Sequence, residues 1–406
     1  MELGGMMHYT ELEELQKAWK GKICLFGAGL IGKTWAYDIL KEIGFQIDFY
    51  CDNNKEENLM IRDNIKTISL NSLYFYKNEV LVFITAMGKY QHSIRRQLEN
   101  NGIYNIISVD YLFLQTFVES IFEMDEWKIK ERFNCVFDDR EYISRQFEYH
   151  MEYRPNLDSP QTFNEKIQSL KLHDRNPQYT QMVDKYAAKK YVADIIGDEY
   201  VIPTFGVYNS FDEIEFEKLP QQFVLKCTHD SGGIVLCKDK NCFDKSNAKT
   251  FLESRLKSNF YWIGREWPYK NVTPQIIAEE YLVDESNVEL KDYKFFTFDG
   301  KVKLIQVDYD RFVHHKRNLY TIDWEYVDAV IKYPTDPNRK IERPVNLEKM
   351  IVISEKLSKH IPHVRVDLYL VGNRIYFGEL TFYHGSGYEK FEPRELEYKL
   401  GEMINI

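Results

Sequence analysis

A chain of 406 residues is long enough for two or three domains, each with its own hydrophobic core. Its formal net charge of −10 argues against nucleic acid as a partner, because phosphate binding needs a basic surface. The six cysteines include no CxxC pair, and the sequence shows neither a signal peptide nor an apolar run of about 18 residues, so we expect a cytoplasmic protein with no transmembrane segment.

The first 112 residues alternate predicted strands with predicted helices. An apolar strand over residues 22–26 leads into a glycine-rich turn and a helix that extends to about Ile43. Further predicted strands cover residues 46–50, 80–86 and 106–109. Strand, glycine turn, helix and strand in this order predict a Rossmann-like, doubly wound α/β domain over residues 1–112.

The glycine turn of this domain has the spacing of a dinucleotide-binding motif. Gly27, Gly29 and Gly32 follow the first strand, and Asp52 lies 20 residues after the third glycine. Glycines let a phosphate approach the backbone, and an acid at this spacing suits ribose hydroxyls. These residues therefore form a candidate second site, for a nucleotide or a nucleotide sugar. A domain that binds no ligand, or that only docks partners, is the alternative.

Residues 113–155 are predicted to form a helical connector, because they are mixed in charge and poor in glycine, proline and serine. From residue 156 to residue 406 the pattern becomes α+β, with helices predicted over 163–172 and 180–196 and strands after them. The predicted fold is therefore an α/β domain followed by an α+β domain.

A glycine-rich loop joins two predicted strands of the second domain. The strand over 223–227 carries Lys226 within an apolar run, and a buried lysine is costly unless it meets an anion. Ser231, Gly232 and Gly233 follow, and the amides of such a loop can cover phosphates. A plain hairpin with a Gly-Gly turn is the alternative.

Further polar candidates lie on both sides of this loop. Lys185 begins a lysine-rich helix, a pattern that is most often a solvated face. Lys294 lies among aromatic residues of a predicted hairpin and faces either solvent or the same phosphates. Between them, a strand ends in a polar hinge whose backbone suits an adenine edge. The hinge residues are Glu279, Glu280, Tyr281 and Leu282.

Near the C-terminus, alternating residues on both sides of a Gly-Asn turn predict a β-hairpin. With a three-residue loop over 372–374, Asp367 pairs with Glu379 on one face. Arg365 and Thr381 then form the next pair on the same face. Carboxylates so placed suit two metal ions roughly 3.5–4 Å apart, whereas the alternative is a salt bridge on a solvated face. A two-residue loop would place the two carboxylates on opposite faces.

Eight segments of the second domain carry a further pattern. They are Thr162–Gln168, Phe223–Lys226, His229–Gly233, Gly264–Asn271, Ile277–Leu282, Asp292–Phe296, Val364–Tyr369 and Phe377–Tyr383. In this order they resemble the ATP-grasp superfamily. Their residues are most similar to its TupA-like branch, which is associated with teichuronic acid and capsular polysaccharide biosynthesis. The resemblance runs from about residue 150 to the end and implies an ATP-grasp fold after the Rossmann-like domain.

The resemblance implies ATP and Mg²⁺ as cofactors and gives roles to most of the candidates. The implied ATP-binding residues are Lys185, Lys226, Ser231, Gly232, Gly233, Glu279, Glu280, Tyr281 and Leu282. The implied metal ligands are Asp367, Glu379 and Thr381, the last standing where the superfamily usually has asparagine. The implied catalytic residues are Arg365, Arg311 and Lys294, and Arg311 shares with His314 and His315 a segment that would reach the substrate carboxylate.

Enzymes of this superfamily typically phosphorylate a carboxylate and let an amine displace the phosphate. The resemblance therefore implies an ATP-dependent carboxylate–amine ligase that forms an amide on a uronic-acid-type sugar in surface polysaccharide biosynthesis. Its partners would be a carboxylate, an amine and, at the first domain, a nucleotide sugar. Two alternatives stay open: a sugar phosphotransferase on the same fold, and a non-catalytic scaffold for glycan assembly that binds a nucleotide sugar.

Overall fold

The computed structural model describes residues 8–86, 88–109, 117, 138–283, 290–310, 314–339 and 341–406. The chain divides into two compact units, Met1–Tyr149 and His150–Ile406. Within the described residues, no helix combines the length and the apolar character needed to cross a membrane. The predicted catalytic residue Arg311 lies outside the described residues, as does most of the predicted connector, of which residues 117 and 138–155 are described.

The first unit is built on a six-stranded sheet. Its strands are β1 (Lys22–Phe26), β2 (Phe49–Cys51), β3 (Met60–Arg62), β4 (Ile65–Ile68), β5 (Val80–Ile84) and β6 (Ile106–Ser108). Their order is β3-β4-β2-β1-β5-β6, and each neighbouring pair is parallel except β3 with β4. Central parallel strands are buried on both faces, which is why β1 and β5 are nearly continuous apolar runs.

Helices cover both faces of this sheet. They are α1 (Tyr9–Ala18), α2 (Leu30–Lys33), α3 (Trp35–Ile43), α4 (Leu70–Tyr74), α5 (Gly88–Glu99) and α6 (Asp139–Met151). Leu25 and Phe83 pack into one apolar cluster, and their chain neighbours Cys24 and Val82 pack into another on the opposite face. The helix predicted after the glycine turn is interrupted at Thr34, which separates α2 from α3.

The second unit contains a small and a large antiparallel sheet. The small sheet consists of β7 (Thr204–Tyr208), β8 (Phe223–Cys227), β9 (Ile234–Cys237) and β10 (Ile276–Glu280), in the order β7-β10-β8-β9. The large sheet consists of β11 (Asp292–Phe298), β12 (Lys301–Tyr309), β13 (Lys316–Tyr320), β14 (Tyr326–Val327), β16 (His363–Val371) and β17 (Arg374–Thr381), in the order β14-β13-β12-β11-β16-β17. A separate pair is formed by β15 (Val330–Ile331) and β18 (Phe391–Glu392).

Each of these two sheets packs against helices over its own apolar core. The helices are α7 (Phe163–His173), α8 (Gln178–Val183), α9 (Ala187–Ile196), α10 (Lys245–Leu256), α11 (Tyr261–Gly264), α12 (Leu347–Leu357) and α13 (Arg394–Glu402). Leu252 of α10 is buried in the core of the small sheet, and Phe163 of α7 in that of the large sheet. A capping box fixes the start of α7, because Thr162 and Glu165 each accept a hydrogen bond from the backbone N–H of the other.

The C-terminal hairpin, β16 with β17, has a two-residue loop formed by Gly372 and Asn373, so the predicted three-residue loop is wrong. The predicted pairing of Asp367 with Glu379 nevertheless occurs, because β17 contains one extra residue and the register shifts just after Asp367. The extra residue is Gly378, where a Cβ would lie only 3.0 Å from the carbonyl oxygen of Asp367. This bulge brings both carboxylates back to one face of the sheet.

Candidate functional site

The second unit contains a cavity of about 500 Å³ that is lined by residues of both the small and the large sheet. Val224 and Lys226 of β8 and Ile234 and Leu236 of β9 line it from the small sheet. Tyr369 of β16 lines it from the large sheet. A cavity of this volume suits a ligand of nucleotide size.

The walls of this cavity are mainly apolar and aromatic. Ile234 and Leu236 alternate along β9 and keep 44% and 42% of their surface exposed, although both are apolar. The rings of His315 and Tyr333 stack with their centroids 3.8 Å apart and also line the cavity. A cavity lined by aliphatic side chains and stacked rings suits a flat, apolar group such as a purine.

Three of the four predicted hinge residues line the cavity: Glu280, Tyr281 and Leu282. Glu279 is not among the residues that line the cavity, although it pairs with Val224 and so lies on the same face of the small sheet as Val224 and Lys226. Its carboxylate oxygens lie 2.5 Å from Lys189 Nζ and 2.6 Å from Lys226 Nζ. Glu279 thus pairs with two lysines, one of which lines the cavity, and its place in an adenine hinge stays a prediction.

These charges leave an excess of positive charge beside the cavity. Burial raises the pKa of Glu279, but Lys226 and Lys189 outweigh burial and hold that pKa below its usual value. One carboxylate thus faces two ammonium groups. Lys189 lies on α9, in the lysine-rich segment that sequence patterning assigned to a solvated face, and its burial depends on packing that the sequence does not display.

The predicted flap, Ser231-Gly232-Gly233, lies between β8 and β9, and hydrogen bonds from Lys185 and Arg255 hold the segment that contains it. Gly233 has no room for a side chain, since a Cβ would lie 2.5 Å from the carboxylate of Asp230. That carboxylate accepts a hydrogen bond from Arg255 Nε at 2.6 Å. Lys185 donates to the carbonyl oxygens of Cys227, at 3.1 Å, and of Asp230. Lys185 is thus placed at the base of the flap, and burial lowers its pKa.

The large sheet carries the second group of charges. Pairing of β11 with β16 places Lys294 opposite Asp367. Lys294 Nζ lies 2.6 Å from Asp367 Oδ2 and 2.5 Å from Asp292 Oδ2. Burial lowers the pKa of Lys294, but the two carboxylates outweigh burial and raise it. Lys294 is therefore a buried ammonium group and not a solvated one.

Arg365 joins both predicted metal carboxylates. Its Nε and one terminal nitrogen lie 2.7 Å from the two oxygens of Asp367. The same terminal nitrogen lies 3.2 Å from Glu379 Oε1 and 3.0 Å from Thr381 Oγ1. Burial raises the pKa of Glu379, but Arg365 and Lys294 outweigh burial and hold that pKa at about 2. Glu379 is thus an anion at neutral pH.

The oxygen donors of this cluster suit Mg²⁺ only in part. Asp367, Glu379 and Thr381 offer hard oxygen ligands on one face of the hairpin, which is the ligand chemistry that Mg²⁺ prefers. Among the described residues, however, no group of three or more His, Cys, Asp and Glu side chains has the arrangement of a metal site. Mg²⁺ is usually held by one or two carboxylates together with substrate phosphates, so the donors present fit it as a partial set.

In the glycine turn of the first unit, the carboxylate of Asp52 hydrogen-bonds the backbone. Gly27 has a φ of +116°, and a Cβ on Gly32 would lie 2.1 Å from the Gly27 carbonyl oxygen, so both positions require glycine. Asp52 accepts hydrogen bonds from the backbone N–H of Ala28, at 2.7 Å, and of Asn54, at 2.8 Å. Both carboxylate oxygens of Asp52, the residue predicted to bind ribose hydroxyls, therefore already accept a hydrogen bond from the protein backbone.

Comparisons with known proteins bear on the second unit. The model of a family described as TupA-like ATPgrasp matches residues 165–405. No curated protein matches the chain. The solved structures similar to it include D-alanine–D-alanine ligase from Bacillus anthracis complexed with ATP, which is 15% identical over 95% of each chain with a TM-score of 0.32. Biotin carboxylase from Campylobacter jejuni is 11% identical over 96% of this chain and 73% of its own, with a TM-score of 0.35. Similarities at this level carry no further argument.

Proposed function

The chain belongs to the TupA-like ATP-grasp family, and on that premise we propose that it is an ATP-dependent carboxylate–amine ligase. The reaction forms an acyl phosphate on the carboxylate of a uronic-acid-type sugar, and an amine then displaces the phosphate. The product is an amide on a precursor or a chain of a surface polysaccharide. ADP and phosphate are the other products.

One observation carries the ATP part of the proposal. The cavity has Lys226 on one wall and Tyr369 on the other, and Tyr369 lies only two residues after Asp367 on β16. A ligand in this cavity would therefore have apolar walls for its base and would meet both charged groups, that around Glu279 and that around Asp367. This combination of an apolar slot with cations at its end fits a nucleoside triphosphate.

The roles of the protein groups follow from where their charges lie. Lys226 and Lys185 would neutralise phosphates, with Gly232 and Gly233 of the flap supplying backbone N–H groups above them. Arg365 and Lys294 would stabilise charge on the phosphoryl group during transfer, because positioning and electrostatics account for most of the catalysis of such reactions. Asp367 and Glu379, with Thr381, would hold Mg²⁺, which neutralises phosphate charge when it is bound.

The experiment that tests this proposal measures ADP and phosphate release from Mg-ATP. Uronic acids, free or as glycosides, are tested against a panel of amines and amino alcohols. We expect release that requires both a carboxylate and an amine. ADP without phosphate, from a single acceptor, would contradict the ligase and support the phosphotransferase. Absence of ATP binding would contradict both.

A further inference from the structure

A second buried group of polar side chains lies near Arg365 but belongs to neither the cavity nor the hairpin carboxylates. Lys171, on the buried face of α7, is 1% exposed. Its Nζ donates to the Ser386 hydroxyl at 2.9 Å and to the Ser386 carbonyl oxygen at 2.8 Å. The same nitrogen lies 4.7 Å from the centroid of the Tyr388 ring. The hydrogen bond of Lys171 to Ser386 connects residues that are 215 positions apart in the sequence.

Glu266 completes this group from a third segment. Its side chain is buried, with the whole residue 7% exposed. A Cβ added to Gly264 would lie 2.6 Å from Ser386 Oγ and 3.1 Å from Glu266 Oε1, so the hydroxyl and the carboxylate converge above Gly264. The Ser386 hydroxyl accepts a hydrogen bond from Lys171, and the Glu266 carboxylate lies near that hydroxyl beside Gly264. The three side chains therefore form one polar group contributed by three segments of the chain.

The loop that presents Ser386 adopts an unusual backbone conformation. Gly385, Ser386 and Gly387 have φ values of +53°, +54° and +68°, all in the left-handed region. A non-glycine residue there costs on the order of 1–3 kcal/mol and persists only where its surroundings enforce it. Gln168 Nε2 donates to the carbonyl oxygens of Ser386 and Gly387 and so helps to enforce it. Ser386 itself is only partly buried, so its hydroxyl lies where the buried group reaches the surface.

The group is adjacent to the candidate catalytic charges. His384, two residues before Ser386, lies with its Nδ1 2.7 Å from a terminal nitrogen of Arg365. Burial raises the pKa of Glu266, Lys171 opposes that effect, and the charge of Glu379 adds to it. The acyl group of the proposed reaction would form beside Arg365 and Glu379, so the group flanks the place where a nucleophile must approach.

We propose that Glu266, Ser386 and Lys171 are the amine-binding site of this ligase, in which Glu266 accepts the proton that the amine must lose. This inference rests on the proposed function. An amine that enters as an ammonium ion gives one proton to Glu266, and its lone pair forms the C–N bond with the acyl carbon. The bond between the acyl carbon and the phosphate oxygen breaks, and phosphate leaves with the electron pair and takes up the second proton of the nitrogen. General-base help of this kind is worth about 10²–10⁴-fold in rate.

Lys171 is a positioning residue in this arrangement. Its Nζ donates to the Ser386 hydroxyl oxygen and would leave the hydroxyl proton to point toward the nearby Glu266 carboxylate, while burial lowers the pKa of Lys171 to about 7. A buried Lys–Ser–Glu group that only clamps the loop to α7 is the competing explanation. The two differ in one respect: a clamp affects every reaction of the enzyme equally, whereas an amine site affects only the step that uses an ammonium nucleophile.

Hydroxylamine separates these explanations, because it is neutral near pH 7.5 and captures an acyl phosphate without a base. The full chain is given Mg-ATP and methyl glucuronide with either hydroxylamine or the panel of amines and amino alcohols. Hydroxamate and amide are measured separately. For Glu266→Gln we expect hydroxamate formation within about twofold of the unchanged protein and amide formation lowered by about 100-fold. Ser386→Ala should lower the amide-to-hydroxamate ratio in the same direction.

Glu165→Gln is the matched control, since Glu165 is an equally buried glutamate whose carboxylate caps α7. It should leave the amide-to-hydroxamate ratio unchanged even if it lowers stability. Equal losses of hydroxamate and amide in Glu266→Gln would overturn the amine site, as would no loss of either, or hydroxamate formation by the unchanged protein without amide from any amine. Absence of hydroxamate from the unchanged protein would instead show that the proposed ligase function itself is wrong.

Discussion

The two glycine loops of this protein carry similar sequence patterns but meet different charges. In the first unit, the turn that contains Gly27 lies beside the carboxylate of Asp52. This carboxylate accepts hydrogen bonds from the N–H groups of Ala28 and Asn54, so neither group is left for a phosphate. In the second unit, the flap that contains Gly232 lies above Lys185, in the unit where Lys226 borders the cavity. A glycine loop allows close approach of a ligand, but the charge around the loop selects which ligand approaches. We therefore expect ATP at the flap and not at the turn.

The largest effect that would test this difference is expected from Glu379→Ala. Loss of this carboxylate removes a proposed Mg²⁺ ligand and leaves Arg365 without one of its partners. ATP turnover should fall by about 10²–10³-fold, as it does when a single charge-stabilising group is removed from other active sites. The control is Glu355→Ala, which breaks an ion pair with the exposed Lys301 and should leave turnover unchanged. Full turnover in Glu379→Ala would remove the metal assignment.

Lys226→Met should weaken ATP binding without abolishing the fold. A hydrogen bond between charged groups contributes about 1.5–3 kcal/mol, so the Kd for ATP should rise by roughly tenfold to hundredfold. Glu279 would keep Lys189 as its partner at 2.5 Å, which limits the loss of stability. Isothermal titration calorimetry measures the Kd, with Lys190→Met as the control because Lys190 is exposed and forms a surface ion pair with Asp194. An unchanged Kd would place the phosphates elsewhere.

Gly378→Ala tests whether the bulge sets the register of the catalytic hairpin. A methyl group would lie 3.0 Å from the carbonyl oxygen of Asp367, and overpacking of this kind costs about 1–3 kcal/mol. Urea unfolding should show that loss, together with reduced ATP turnover. Gly29→Ala, in the glycine turn of the first unit, is the matched variant, since a Cβ there meets no described heavy atom within 4 Å. If both variants behave alike, the bulge has no special role.

The smallest effect is expected from Asp52→Ala. The N–H groups of Ala28 and Asn54 would lose their acceptors, at a cost of about 1 kcal/mol for the first unit. Hydrogen exchange measured by mass spectrometry should become faster at the peptide that contains Ala28. The Kd for ATP should stay unchanged. A weakened Kd would mean that the glycine turn binds the nucleotide after all.

Local patterns in the sequence predicted the elements that hold the site. The strands expected over 22–26 and 223–227 are β1 and β8 with those bounds. The pairing of Asp367 with Glu379 was also predicted, but from a loop one residue too long, and the bulge at Gly378 compensates for the difference. A glycine within a strand is the sequence signal that indicates such a bulge.

Contacts between distant segments could not be predicted in this way. Glu279 was expected at the hinge from its place at the end of a strand, but its ion pairs with Lys189 and Lys226 join it to two other segments and were not predicted. The contact of Lys171 with Ser386 depends on how α7 packs against a loop 215 residues later. Periodicity shows which face of an element is apolar, but it does not show which element will cover that face.

Photolabelling with 8-azido-ATP in the presence of Mg²⁺ would test the central claim most directly, because the label marks the residues beside the adenine ring. We predict that peptide mapping finds the label on the hinge peptide that contains Tyr281 and Leu282 or on the β9 peptide that contains Ile234 and Leu236. Excess unmodified ATP should prevent labelling. A label confined to the peptides between Gly27 and Asp52 would contradict the account, because it would place ATP at the glycine turn of the first unit.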